Sequence, residues 1–292
     1  MPLRLANATM CKTLLLYALE SSRPRFWLYL AGTYLVGFAF GARSLRDFYS
    51  PVFLITFVYF LFPANFLVYA INDYFDRAGD VFNIKKKRHE RIFEDKHKVA
   101  FFSLLAVSFV LTCIVMLIQS HAISRLWIAL FVVLGVFYSA PPIRFKTKAI
   151  LDFSSNVLYV MPGLAGYSAI SGMIPGANAF LCAFLWTWAM HLFSAIPDII
   201  PDKNAKFFTT AVCFGKKNSL ILVFLFWLGF WLMTMSLPIW PILQFAAILY
   251  PIIPLYLLAT PEADISRIYW LFPIINGLGG MIVFWSAFIR LL

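Results

Sequence analysis

FYSPVFLITFVYFLFPANFLVYAIN (Phe48–Asn72) runs for 25 residues without a charge and then breaks into DYFDRAGD (Asp73–Asp80). About 20 apolar residues cross the hydrocarbon of a bilayer. The first stretch therefore reads as a membrane span and the second as its exit into water. Six further uncharged runs follow: Phe26–Ala42, Val99–Ser124, Leu126–Ile143, Phe153–Pro197, Asn218–Pro261 and Ile268–Ile289. Phe153–Pro197 and Asn218–Pro261 are each about twice the length of a span. The first divides at SGMIPGAN (Ser171–Asn178) and the second at SLPIWP (Ser236–Pro241), where Gly, Pro, Asn and Ser mark turns. The expected fold is all-α, a polytopic bundle of nine transmembrane helices. Residues 1–292 then form one membrane-embedded domain, with no room for a separate soluble one.

Composition agrees. Of 292 residues 62% are apolar and 13% charged, against roughly 45–50% and about 25% in soluble domains. A mean hydropathy of +0.83 excludes both a soluble domain and a disordered chain. The net charge of +11 would suit nucleic acid in a soluble protein. In a membrane protein, cations instead gather on cytoplasmic loops. With nine spans, 20 of the 24 Lys and Arg fall on the N-terminal side and 4 on the other. The N-terminus is thus expected in the cytoplasm and the C-terminus outside it. Twelve of the 13 acids share the cytoplasmic side, Asp47 being the exception. The cation rule does not require that, so carboxylates have a use there. Cys11, Cys113, Cys182 and Cys213 form no CxxC pair and read as buried, inert thiols. Cys11–Leu19 is too short for a span and reads as an interfacial segment.

The acids form two clusters. In NDYFDRAGD, Asp73, Asp76 and Asp80 stand at i, i+3 and i+7, and Asn72 lies four residues before Asp76. On a helix those positions share one face. In DIIPD, Asp198 and Asp202 are one turn apart at the end of the sixth expected span. Carboxylates on one face repel unless a cation sits among them. Hard oxygen ligands suit Mg²⁺, which takes one or two carboxylates together with substrate phosphates. Cations lie near both clusters: Arg77 inside the first, Lys203 and Lys206 beside the second, and Arg144 and Lys146 in YSAPPIRFK (Tyr138–Lys146). Carboxylates, metal and cations together describe a diphosphate site. The run KKKRHER (Lys85–Arg91) reads as positive-inside flanking or a lipid headgroup contact.

NDYFDRAGD is similar to the NDxxDxxxD signature of the UbiA superfamily of intramembrane prenyltransferases, and DIIPD to that family's second DxxxD motif. SSRPRFWLYLAG (Ser21–Gly32), DVFNIKKK (Asp80–Lys87) and YSAPPIRFK resemble the lycopene elongase branch. One position departs from many aromatic-acceptor members. Those carry Lys four residues after the Tyr equivalent to Tyr138, and here that place holds Pro142.

The resemblance implies Mg²⁺-dependent transfer of a prenyl group from an allylic diphosphate to a lipophilic acceptor within the bilayer. Two Mg²⁺ would be held by Asn72, Asp76 and Asp80 and by Asp198 and Asp202, with Asp73 orienting a ligand or a cation. Asp76 and Asp198 are the residues whose loss should end catalysis. Arg77, Tyr138, Arg144, Lys146, Lys203 and Lys206 would serve the diphosphate. Tyr138, Tyr159, Trp186 and Trp188 are candidates to face the allyl cation. His191, seven residues before Asp198, reads as a bundle histidine or a cavity-facing one. The acceptor is expected to be a linear carotenoid. The alternative is an aromatic precursor of quinones, whose carboxylate Arg23 or Arg25 could meet. A CDP-alcohol phosphotransferase would need DGxxAR, which is absent. A cation transporter would place its charges near the midplane rather than at one edge. Nothing in the sequence bears on oligomeric state.

Overall fold

Apolar runs in lipid must satisfy their backbone internally, and the helix does this within one segment. The computed structural model describes residues 16–80 and 97–292, without the side chains of residues 78–80. Among the described residues there is no strand. Residues 16–21 are helical, and the rest of the expected interfacial segment, Cys11 included, lies outside the described residues. So does KKKRHER.

The first expected span is a π-helical turn, Leu28–Gly32, continued by helix α1, Thr33–Gly41. The second is two helices, α2 (Pro51–Leu61) and α3 (Pro63–Asp80). Pro63 has no N–H to continue the ladder. Asn65 Nδ2 repairs the break by donating to the carbonyls of Phe60 and Leu61 at 2.8 and 3.1 Å. Helices α4 (Lys98–Ile118) and α5 (Ala122–Ser139) follow, then α6 (Met161–Ser171), α7 (Ala177–Ala195) and α8 (Thr210–Thr234). The last two are α9 (Leu249–Ala259) and α10 (Phe272–Phe288). Both expected turns are present: α6 stops at a left-handed Gly172, and α8 ends at Thr234 before SLPIWP.

Among the described residues, seven helical stretches are long and apolar enough to cross a membrane: 51–77, 98–118, 122–139, 177–204, 210–234, 241–259 and 265–291. The other two expected spans, residues 28–41 and 151–171, are broken into shorter helical pieces. Arg125, expected in a loop, lies inside α5. It reaches back to donate to the Gln119 carbonyl from Nε at 2.9 Å and Nη2 at 2.6 Å, closing the turn after α4. Gly215, at φ 71°, kinks α8 three residues before Asn218, where the apolar run was expected to begin.

The helices pack around two apolar cores. One joins α1, α2, α3, α5 and α6 through Tyr34, Phe38, Phe60, Phe131 and Leu164. The other joins α7 to α10 through Phe193, Leu220, Trp227, Leu257 and Phe272. Helices α1 and α6 touch along their backbones. A Cβ on Gly37 would stand 1.9 Å from the Gly163 carbonyl oxygen. Small residues permit such contact in membranes, where apolar burial no longer drives association. Outward faces carry large apolar side chains, such as Phe109 and Ile114 on α4 and Ile274 and Leu278 on α10. Cys182 is buried, whereas Cys113 and Cys213 are exposed, contrary to expectation.

Candidate active site

The acidic end of α3 meets the connection that follows α5. Asp73 and Asp76 are both buried. Asp73 accepts from Arg23 Nη2 at 2.5 Å. Asp76 forms a close ion pair with Lys146 through Oδ2, and Arg144 Nη2 lies 3.5 Å from its Oδ1. Asn72 Nδ2 donates to Ser139 Oγ at 2.8 Å, so the carbonyl oxygen is the ligand atom this amide can offer. Arg144 and Lys146 are aimed by a left-handed residue, Arg144 at φ 54°, and by the 3-10 turn Phe145–Thr147. The Phe207 ring lies 5.5 Å from Arg144 and 5.7 Å from Lys146.

The second cluster reaches the same place. Asp198 ends the 3-10 turn Ile196–Asp198 that extends α7, and Asp202 lies in the short helix Ile199–Asn204. Thr209 Oγ1 donates to Asp202 at 3.3 Å. Asp202 lies in the field of both Asp198 and Lys146. Lys146 thus answers both acid clusters. The bond from Phe208 N to the Thr147 carbonyl, 3.0 Å, ties the two connections together.

A cavity of about 330 Å³ opens between the two cores. Arg23, Arg25, Asn72 and Asp198 line its polar part. Its body is aromatic, with Phe26, Tyr29, Tyr69, Tyr138, Tyr159, Trp186, Tyr269 and Trp270 in the wall beside Met190 and His191. Tyr69 and Tyr159 share a hydrogen bond of 3.1 Å. Asn276 bridges Tyr29 and Tyr250, donating to the first at 3.1 Å and accepting from the second at 2.6 Å. Arg25 sits over the rings of Phe26 and Trp270 at 4.5 and 4.6 Å.

The structure gathers some expected residues and leaves others apart. Asn72, Tyr138, Tyr159, Trp186, His191 and Asp198 line the cavity, and Asp73, Asp76, Arg144 and Lys146 stand beside it. Asp202 is on the adjoining helix. Lys203 and Lys206 are exposed and outside the wall, as is Arg77, which lies over Tyr74 at 5.1 Å. Asp80 closes α3, and its side chain lies outside the described residues. Trp188 packs against Phe153 and Phe226 in the second core instead of facing the cavity. Asp152 went unnoticed in the sequence because it looks like one more flanking acid. It is 1% exposed and receives Thr210 N at 2.7 Å, Thr210 Oγ1 at 2.5 Å and Phe153 N at 2.9 Å. It anchors the start of α8 rather than facing a ligand.

The donor set fits Mg²⁺ bound with a phosphate. Among the described residues no three His, Cys, Asp or Glu converge on one point, so a closed protein cage is absent. Asn72 and Asp198 do face one cavity. Mg²⁺ commonly takes one or two carboxylates and completes its shell with water and substrate oxygens.

Known proteins share this fold and its family. The model of the UbiA prenyltransferase family matches residues 30–285. The lycopene elongase/hydratase of Haloferax volcanii is 39% identical over 283 residues, covering 95% of this chain and 90% of that protein. The protein of the same name from Halobacterium salinarum is 39% identical over 272 residues, covering 91% and 94%. A UbiA homologue from Archaeoglobus fulgidus, solved with GPP and Mg²⁺, superposes with a TM-score of 0.61 at 22% identity, covering 91% and 99%. The structure of a digeranylgeranylglyceryl phosphate synthase superposes with a TM-score of 0.70 at 16% identity, covering 94% and 99%. The two structures establish the shared fold, and the family match with these relatives establishes descent: the chain is a membrane-embedded prenyltransferase of the UbiA family.

Proposed function

We propose that the chain transfers the prenyl group of a short allylic diphosphate to a long apolar isoprenoid, a linear carotenoid such as lycopene. One observation carries the reading: a single cavity has Asn72, Asp198, Arg23 and Arg25 in its polar wall and aromatic rings along its body. The diphosphate belongs at the polar part and the prenyl chain among the rings.

Bound Mg²⁺, for which Asn72, Asp76, Asp80, Asp198 and Asp202 are the candidate ligands, would offset the charge that develops on the leaving diphosphate. Lys146 and Arg144 already wait on Asp76. They exchange a carboxylate for phosphate oxygens when the donor binds, and charge-assisted bonds to phosphate are strong ones. Arg23, kept in place by Asp73, guards the same part of the cavity. The allylic C–O bond breaks, and its electron pair leaves with the diphosphate. Ring faces of Tyr29, Tyr159 and Trp186 then stabilise the allyl cation by about 0.5–2 kcal/mol each. The π pair of an acceptor double bond forms the new C–C bond.

The names of the haloarchaeal relatives support the carotenoid, and a relative solved with DMAPP supports a short donor. The cavity volume is near the lower end of ligand pockets, roughly 300–1,000 Å³. A long acceptor would therefore insert one end and leave the rest in lipid. A second reading is favoured by Arg25, which lines the cavity and could take the carboxylate of an aromatic acid. Expression in a lycopene-making host, with mass spectrometry of its lipids, tests the proposal. New carotenoids longer by five carbons support it, and unchanged lycopene with a prenylated aromatic acid refutes it.

A further inference from the structure

We infer that His191 is the proton acceptor that ends the reaction, taking the proton released when the acceptor carbocation is quenched. This rests on the reading that the acceptor is a polyene. When the terminal double bond attacks the allyl cation, its π pair is used in the new C–C bond. The neighbouring carbon is left as a tertiary cation. Water can add there, forming a C–O bond and releasing a proton. Alternatively a neighbouring C–H bond gives its electron pair to a new C=C bond and releases its proton. Either way the products are one prenylated polyene, diphosphate and one proton, and the proton needs a base.

His191 is placed for that role. It lines the cavity on α7, seven residues before Asp198. The end of α7 and the 3-10 turn Ile196–Asp198 separate the two by a rise of about 12 Å. The diphosphate is at the Asp198 level, so its own oxygens are remote from a proton lost at the far end of the new bond. The His191 ring meets Tyr138 edge-on, with centroids 6.1 Å apart. Its ring nitrogens have no hydrogen-bond partner among the described residues, so no structural bond occupies them. The other described wall residues are two arginines, tyrosines, amides, hydroxyls and apolar groups, with Asp198 on the metal side. Histidine is the one among them whose ordinary range lets it accept a proton near neutral pH.

The test uses the full chain in lipid with Mg²⁺, dimethylallyl diphosphate and lycopene, in water enriched in ¹⁸O. His191→Gln keeps a polar side chain that cannot take up the proton, and His191→Ala leaves space for added imidazole. General-base catalysis contributes about 10²–10⁴-fold. Both variants should therefore lose at least a hundredfold in turnover, with the donor KM within threefold of wild type. Imidazole should restore tenfold or more to His191→Ala and nothing to His191→Gln or Asp198→Ala. Label in the product identifies water as the source of the proton, and its absence identifies the C–H bond. Wild-type-like turnover in His191→Gln overturns the inference. So does a dead His191→Ala that imidazole leaves dead, which would reduce His191 to a packing role. If wild-type protein leaves lycopene unprenylated, the acceptor reading fails and takes this inference with it. Active wild type with indifferent variants sinks the inference alone.

Discussion

Lys146→Met removes the cation that answers both acid clusters. The Lys146 side chain is 12% exposed and that of Asp76 7%. Removing one partner of a buried pair leaves the other uncompensated, at roughly 3–5 kcal/mol. Here Asp76 keeps Arg144 at 3.5 Å, and the Arg144 side chain is 36% exposed to screening water. The structural loss should then be smaller, about 2 kcal/mol. The catalytic loss is separate. A hydrogen bond to a charged group contributes about 1.5–3 kcal/mol, which is roughly a 10- to 150-fold change. The donor kcat/KM should fall by that factor, chiefly through KM, while Lys146→Arg keeps most of it. The assay is diphosphate release by purified protein over a donor series, with thermal denaturation run in parallel. Mg²⁺ should recover part of the lost thermal stability in Lys146→Met, because it supplies the missing charge beside Asp76. A kcat/KM within threefold of wild type, or a loss confined to stability, would refute the role given to Lys146.

Asp76→Ala and Asp198→Ala should each abolish transfer while leaving inserted, folded protein; activity within tenfold of wild type in both would sink the shared-metal reading. Gly37→Ala should destabilise the bundle by at least the 1–3 kcal/mol typical of overpacking, because its new Cβ would stand 1.9 Å from a backbone oxygen. Gly279→Ala, with nothing within 4 Å of the added atom, is the matched control, and thermal aggregation of both reads the difference. Reporter fusions after Leu292 and within residues 83–96 should fall on opposite sides of the membrane, the latter cytoplasmic. Both on one side would contradict the odd number of spans.

Span positions were legible because lipid leaves a coarse signature: a charge inside a run is rare, and Gly or Pro marks where a doubled run turns. SGMIPGAN and SLPIWP became turns for that reason. Pro63 was legible too, but its consequence was not, since only the tertiary fold shows Asn65 reaching the carbonyls that the proline disturbs. The acid stripes and their partner cations could be read as a set from spacing and side. Which cation meets which acid could not, because Lys146 reaches Asp76 only through the turn after α5. Trp188 and Trp186 are two residues apart on one helix and face different surroundings, one a core and one the cavity. Composition cannot separate them. Asp152 shows the opposite limit: a carboxylate placed like its neighbours serves a backbone anchor, and only its burial and its three donors reveal it.

The most direct test of the central claim is a competition between acceptors. Purified protein in lipid, with Mg²⁺ and dimethylallyl diphosphate, is given lycopene and 4-hydroxybenzoate together, and products are resolved by mass. The account predicts lycopene-derived carotenoids extended by five carbons, with the aromatic acid untouched. Prenylated 4-hydroxybenzoate beside unchanged lycopene would contradict it and assign the cavity, through Arg25, to an aromatic acid.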